Sequence, residues 1–229
     1  MKINFDENLH RRFLVTLLVE IFKKFNDKIA FKGGTCATLF YGLKRFSFDL
    51  DFDILEEFTP DDINTLKNIF AREGRIKDFY DKFHTIFFLF DYEKDYPNIK
   101  IEFNKRIWNN NSYKTVWFMG VKMKIVEKDT LLTNKLVALS DRKEPVPRDI
   151  FDAYYFLNLR FPVSEALIQE RTGKTKKEYL EFLIPFIQKN YNEKNILQGL
   201  GQSLDEDQKR WAKKSLINET IELVKSEIE

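Results

Sequence analysis

Cysteine, histidine, proline and glycine are all scarce in this 229-residue sequence, with one, two, six and eight copies respectively. A single cysteine, Cys36, cannot close an internal disulfide, and the lack of any cysteine framework fits a reducing compartment, so the cytoplasm is the expected location. Neither histidine, His10 or His84, has a partner at metal-ligand spacing, and both are read as structural. Cys36 has no histidine nearby in sequence and is read as packing rather than as a nucleophile. The longest apolar run, Thr85 to Phe90, is far short of the roughly 20 residues a membrane span needs, so no membrane partner is expected. The opening stretch MKINFDENLH contains no apolar segment, and nothing in it marks a secretory leader. Charge of one sign is also missing. With 38 basic and 36 acidic residues the net charge is only +2, which neither demands nor excludes a nucleic acid partner. There is no internal repeat and no low-complexity tract.

What is abundant is apolar bulk. Hydrophobic residues make up 43% of the chain, including 23 Phe, 9 Tyr and 3 Trp, which excludes global disorder. The length suits one large domain or two small ones. Between Glu7 and Phe25 the apolar positions Phe13, Leu14, Leu17, Leu18, Ile21 and Phe22 recur at helical spacing. Lys28 to Lys32 reads as a strand ending at Gly33-Gly34, followed by a short helix over Thr35 to Tyr41 that Gly42 closes. Phe48 to Leu55 alternates acidic and apolar residues with the period of a strand, and Thr59-Pro60-Asp61-Asp62 is a helix start. Strand-like stretches follow at Thr85–Tyr92, Ile99–Ile107 and Thr115–Val126. From Asp129 onward the pattern is helical: Leu131 to Leu139, Arg148–Leu159, Ser164–Thr172, Lys176–Lys189 and Asp205–Ile228. The fold class is α+β, with a mixed-sheet part over residues 1–127 and a helical part over 128–229.

The stretch Phe31 to Asp53 carries the chemistry. In a strand, Asp49, Asp51 and Asp53 would present their carboxylates on one face, an arrangement that repels itself unless a cation intervenes. Oxygen ligands suit Mg²⁺. Upstream, Gly33-Gly34 at a strand-to-helix turn allows backbone N–H groups to approach a phosphate, with Thr35 adding a hydroxyl and Lys32, Lys44 and Arg45 adding positive charge. Each feature alone has a plain structural reading: a turn, and a solvated strand face. Their order, a phosphate-holding turn and then a D-x-D strand, is what nucleotidyl transfer needs. On a strand at Ile99 to Phe103, Glu102 faces with Lys100 and Asn104, as a third metal carboxylate or as part of a solvated face. Lys135 lies among Leu131, Leu132, Leu136 and Leu139, where a lysine either reaches out to water or points at an anion.

Gly33-Gly34-Thr35, Leu39, Tyr41-Gly42, Arg45-Phe46-Ser47 and Asp49-Leu50-Asp51-Phe52 together resemble the signature of the AbiEii/AbiGii-type nucleotidyltransferase toxins, within the DNA-polymerase-β-like nucleotidyltransferase superfamily. A second block agrees with it, Leu131 to Leu139 with Lys135 inside, then Arg148-Asp149-Ile150-Phe151-Asp152. The resemblance implies a polymerase-β-like core followed by a helical half. It implies Asp49 and Asp51 as the metal pair with Glu102 as a third acid, Lys32, Gly33, Gly34, Thr35, Arg45 and Ser47 around the nucleotide, and Lys135, Asp149 and Asp152 in catalytic roles. Asp149 has a second reading, as a cap of the helix that starts after Pro147. The cofactor implied is Mg²⁺, with Mn²⁺ as its substitute, and the donor is an NTP. The acceptor implied is RNA, at the tRNA 3′ end, and the partner is an antitoxin encoded nearby. A small-molecule or protein acceptor, or a nucleotide-binding module without turnover, are the alternatives. Asp53 receives no role from the resemblance. The basic runs Arg171–Lys177 and Lys209–Lys214 either face RNA or are solvated helix faces.

Overall fold

The computed structural model describes residues 6–106, 108–142, 144–200 and 204–228. The first five residues, and Ile107 at the end of one expected strand, lie outside that set. The described chain forms two compact units. One comprises Met1–Gly42, Phe46–Ile107 and Tyr113–Val126; the other comprises Leu43–Arg45, Trp108–Ser112 and Glu127–Glu229.

The first unit is a seven-stranded mixed sheet with three helices. Its elements are α1 (Glu7–Phe25), β1 (Ile29–Lys32), α2 (Gly33–Tyr41), β2 (Leu50–Ile54), α3 (Pro60–Glu73), β3 (Arg75–Asp81), β4 (Thr85–Asp91), β5 (Ile99–Asn104), β6 (Tyr113–Phe118) and β7 (Val121–Val126). The strand order is β3-β4-β5-β2-β1-β7-β6. Alternation splits the central strands cleanly. Phe31, Phe52 and Phe103 point to one face, where Phe22 of α1 packs 6.0 Å from Phe52 and the Phe52 and Phe103 rings stack at 4.8 Å. Lys32, Asp51, Asp53, Glu102 and Asn104 therefore share the other face. That face is fixed by register, since β1 pairs antiparallel with β2 (Lys32↔Asp51) and β2 pairs parallel with β5 (Asp51↔Glu102).

α1 spans the expected Glu7–Phe25, with Asp6 as its N-cap, accepting from the Asn8 and Leu9 amides. Thr59 and Asp62 form a reciprocal capping box at the start of α3, with Pro60 in its first turn. Three readings from sequence need correction. β2 starts at Leu50, so Asp49 precedes the strand and the alternation does not orient it. The expected Thr115–Val126 stretch is a hairpin, β6 and β7, turning at Met119-Gly120. β3, an edge strand of mostly exposed polar residues, has too little apolar alternation to be read at all.

The second unit is helical: α4 (Lys128–Asp141), α5 (Pro147–Asn158), α6 (Glu165–Thr172), α7 (Lys176–Asn190), α8 (Glu206–Trp211) and α9 (Ile217–Ser226). A π-helical turn, Ala212–Leu216, joins α8 to α9, within the single helix expected over Asp205–Ile228. Among the described residues no helix is long and apolar enough to cross a membrane.

Candidate functional site

α2 begins at Gly33 itself, two residues earlier than expected, directly after β1. Gly33 has φ +77, and a Cβ there would lie 2.0 Å from Oδ2 of Asp51. Only glycine permits both the backbone conformation and this approach of the turn to the carboxylate. No side chain caps the first turn of α2, so its amides form an anion-seeking end pressed against Asp51. Thr35 is buried, and its hydroxyl donates to the Asp49 carbonyl at 2.5 Å. It thus ties the loop carrying Asp49 to α2. Ser47 lines a small cleft with Arg11, Thr35 and Thr38.

A residue outside the expected site holds the same loop. His10 is fully buried on α1. Its Nε2 lies 3.1 Å from the Phe48 carbonyl, which can only accept, so Nε2 carries the proton and Nδ1 accepts from the Tyr92 hydroxyl at 2.6 Å. Rings of Phe46 and Phe48 pack edge-on to the imidazole. Burial pushes the His10 pKa below its ordinary 6.5, against the Phe48 hydrogen bond, which raises it. A sequence signal for this existed, because His10 stands four residues before Leu14 and seven before Leu17, on the apolar stripe of α1.

The Asp51 carboxylate stands opposite Glu102 of β5. Asp49 Oδ1 accepts from the Lys100 amide at 3.4 Å. Asp53 is 1% exposed. It accepts from Lys32 Nζ at 2.5 Å, from the Tyr113 hydroxyl at 2.8 Å and from the Asn104 amide at 3.4 Å. Lys32, expected at the nucleotide, thus directs its ammonium to Asp53. Cys36 is buried, and that burial raises its thiol well above the ordinary range, so it is no nucleophile at neutral pH.

Carboxylate oxygens are the right donors for a hard divalent cation. Among the described residues no three His, Cys, Asp or Glu side chains are gathered as a ready metal group. Asp49 and Asp51 are the carboxylates that would be offered to such an ion, with substrate phosphates completing the shell in the way usual for Mg²⁺.

In the helical unit, Arg45, Lys135, Asp149 and Asp152 form one ion cluster. Arg45 grips Asp152 with two hydrogen bonds, Nε to Oδ1 at 2.6 Å and a second nitrogen to Oδ2 at 2.7 Å. Lys135 Nζ of α4 lies 2.7 Å from Asp152 and 3.9 Å from Asp149 on α5. Burial works to raise the Asp152 pKa, but Lys135 and Arg45 outweigh it and hold the carboxyl below its ordinary range. Asp149 is not a side-chain cap, since Val146 occupies that position. It is buried, with Arg142 Nε 2.9 Å from its Oδ2 in an ion pair that lacks hydrogen-bond alignment. The Arg45–Asp152 pair is buried on both sides, and removing one member of such a pair typically costs about 3–5 kcal/mol.

Part of each basic run is paired within the helical unit. Arg171 stacks 5.2 Å from Trp108 and bonds Asn134 and Asp141, while Lys176 pairs with Glu227, Lys209 with Glu206 and Arg210 with Asp207.

A sequence model of the family described as nucleotidyl transferase AbiEii toxin, type IV TA system, matches residues 16–217. No curated protein matches the chain. Among solved structures, a Helicobacter pylori protein given a provisional nucleotidyltransferase assignment superimposes with a TM-score of 0.59 at 19% identity, covering 95% of this chain and 96% of that one. JHP933 from Helicobacter pylori aligns with a TM-score of 0.55 at 18% identity, over 96% and 94% of the two chains. An antigenic nucleotidyltransferase-like protein from Paracoccidioides brasiliensis aligns with a TM-score of 0.50 at 17% identity, over 78% and 87%. At these identities the likeness shows a shared fold.

Proposed function

The chain belongs to the AbiEii family of nucleotidyltransferase toxins of type IV toxin–antitoxin systems, and we propose that it moves a nucleoside monophosphate from an NTP to an acceptor hydroxyl, with RNA at the tRNA 3′ end as the acceptor. The observation that carries this reading is the contact of Gly33 with Asp51, which sets the uncapped start of α2 against a carboxylate. The amides of Gly33 and Gly34 bind phosphate oxygens there, assisted by the helix dipole. Asp49 and Asp51 would hold Mg²⁺, which would supply charge neutralisation at the α-phosphate and the leaving pyrophosphate. Thr35 and His10 keep the Asp49 loop in place, so the carboxylate pair is organised before substrate arrives. In the reaction the acceptor oxygen bonds to the α-phosphorus, the bond from that phosphorus to the bridging oxygen breaks, and pyrophosphate leaves with the electron pair. The acceptor's proton passes to solvent or a nearby base. The toxin would act in the cytoplasm, checked by a cognate antitoxin.

A small-molecule or protein acceptor is the second reading. It is favoured by the small net charge of +2 and by the pairing of Lys176, Lys209 and Arg210 with carboxylates of the same unit.

Purified protein incubated with Mg²⁺, total RNA and each α-labelled NTP in turn tests both readings. We expect label in tRNA-sized bands with the native chain and none with Asp51→Ala, whose folding is checked by its unfolding transition. Label retained by Asp51→Ala overturns the metal assignment, and label on protein alone transfers the acceptor to a polypeptide.

A further inference from the structure

The three tryptophans of the chain are placed differently. Trp108 stacks with Arg171, and Trp211 packs on Tyr154 and donates from its indole to Glu219 at 3.1 Å. Trp117, on β6, is 75% exposed and makes no ring contact or side-chain hydrogen bond among the described residues. Strand alternation sets it on one face with Thr115 and Tyr113. The Tyr113 hydroxyl bonds Asp53, so this is the sheet face that carries Asp51 and Asp53. Trp117 lies about 13 Å along β6 from Tyr113. Across the hairpin Lys122 stands directly opposite Trp117, and Lys124 opposite Thr115. Lys122 is exposed and forms no ion pair among the described residues. Lys124 directs its ammonium to the Asp27 carbonyl at 3.3 Å, a contact that leaves its charge unneutralised. Residues 113–126 hold three lysines and no acidic residue, in a chain whose charges otherwise nearly cancel. Met119 (φ +49) and Gly120 (φ +76) close the hairpin in a two-residue turn that suits the strand twist, which holds ring and lysines in register.

We propose that this hairpin binds a single-stranded segment of the acceptor RNA, with a base stacked on the Trp117 indole and phosphates meeting Lys122 and Lys124. An aromatic face beside free cations is how proteins hold unpaired nucleic acid without reading its sequence. Protein–protein interfaces favour tryptophan but are depleted of lysine, so lysines set against the ring favour a polyanion over a polypeptide. The inference rests on the proposed RNA acceptor and adds where a part of that RNA away from the reacting hydroxyl is held. It also accounts for a nearly neutral chain acting on RNA: phosphate contacts are few, and stacking supplies the remainder.

The test is equilibrium binding of the purified full chain to a short fluorescein-labelled single-stranded RNA of mixed sequence, followed by anisotropy across a salt series without NTP. The native chain is compared with Trp117→Ala, Trp117→Phe and the double variant Lys122→Gln/Lys124→Gln. Trp117→Ala should weaken binding by about five- to 150-fold, the range for loss of one stacked base, and Trp117→Phe should fall between it and the native chain. The lysine variant should lower the salt slope by about 1.4, at about 0.7 for each phosphate contact. Unfolding midpoints should match the native one, because the indole has no partner in the fold. Native-like affinity in Trp117→Ala, or a native salt slope in the lysine variant, overturns the inference. So does self-association of the native chain that Trp117→Ala abolishes, since that result gives the hairpin to a second copy. A native chain that neither binds this RNA nor labels tRNA overturns both the inference and the RNA acceptor. Failure of the inference alone leaves Trp117→Ala binding RNA and transferring label as the native chain does, so the two failures are distinguishable.

Discussion

At the scale of single residues, the tightest constraint lies at Gly33. An alanine there would adopt φ +77 at a cost of about 1–2 kcal/mol, and its methyl carbon would fall 2.0 Å from Asp51 Oδ2. The carboxylate must move, and a displacement of about 1 Å at a reacting centre can cost on the order of 10²-fold in rate. Gly33→Ala should therefore lose nucleotide transfer by roughly that factor, while its urea midpoint falls only modestly. Unchanged turnover would show that the approach of the turn to Asp51 does not matter to the reaction. Gly33 and Asp51 were legible in sequence because each belongs to a short local pattern, a turn and an alternating strand. The Arg45–Asp152 clamp was not. Its members stand 107 positions apart, and sequence offered Arg45 as a nucleotide contact and Asp152 as a catalytic acid without any sign that the two bond each other.

At the scale of elements, α1 does more than cover the sheet. It brings His10 under the loop that carries Asp49, and the imidazole is buried as the neutral form. The folded-state pKa lies below the unfolded 6.5, so between these values the unfolded chain binds more protons. Stability contributed by neutral His10 is thus complete above pH 6.5 and declines as pH falls from there through the folded pKa. Urea midpoints should fall as pH is lowered from neutral toward 5.5, and His10→Asn, less stable at the outset, should lose that part of the slope. An identical pH slope in the variant would remove His10 from the account. Sequence periodicity located α1 and read His10 as structural, but its partners, Phe48 and Tyr92, lie 38 and 82 positions away and could not be seen in the sequence. β3 was not legible because its mostly exposed residues carry no apolar period. Elements with a buried face were legible, while the edge strand β3 was not, since burial is what writes alternation into a sequence.

For the molecule as a whole, the net charge is only +2, and Lys176 and Lys209 of the basic runs are paired with carboxylates, so an RNA acceptor is expected to meet few phosphate contacts. Single-stranded binding loses about 0.7 in log K per decade of salt for each phosphate contact. RNA affinity measured across a salt series should therefore show a shallow slope, about −2 for three contacts. A flat line would exclude phosphate contact and favour the protein or small-molecule acceptor. Lys213 and Lys214 make no ion pair among the described residues, and charge reversal there is a direct way to locate that slope.

The sequence by itself determined the α+β class, the family signature, the turn at Gly33-Gly34 and the acidic strand, because all of these are written in neighbouring residues and in periods of two and 3.6. Tertiary structure alone decided where charges are spent. It gave Asp53 to Lys32, Asp152 to Arg45 and Lys135, and His10 to Phe48. Such pairings depend on register, burial and chain crossings over dozens of residues, and a charged residue looks the same in sequence whether it meets water, a phosphate or a buried counter-charge.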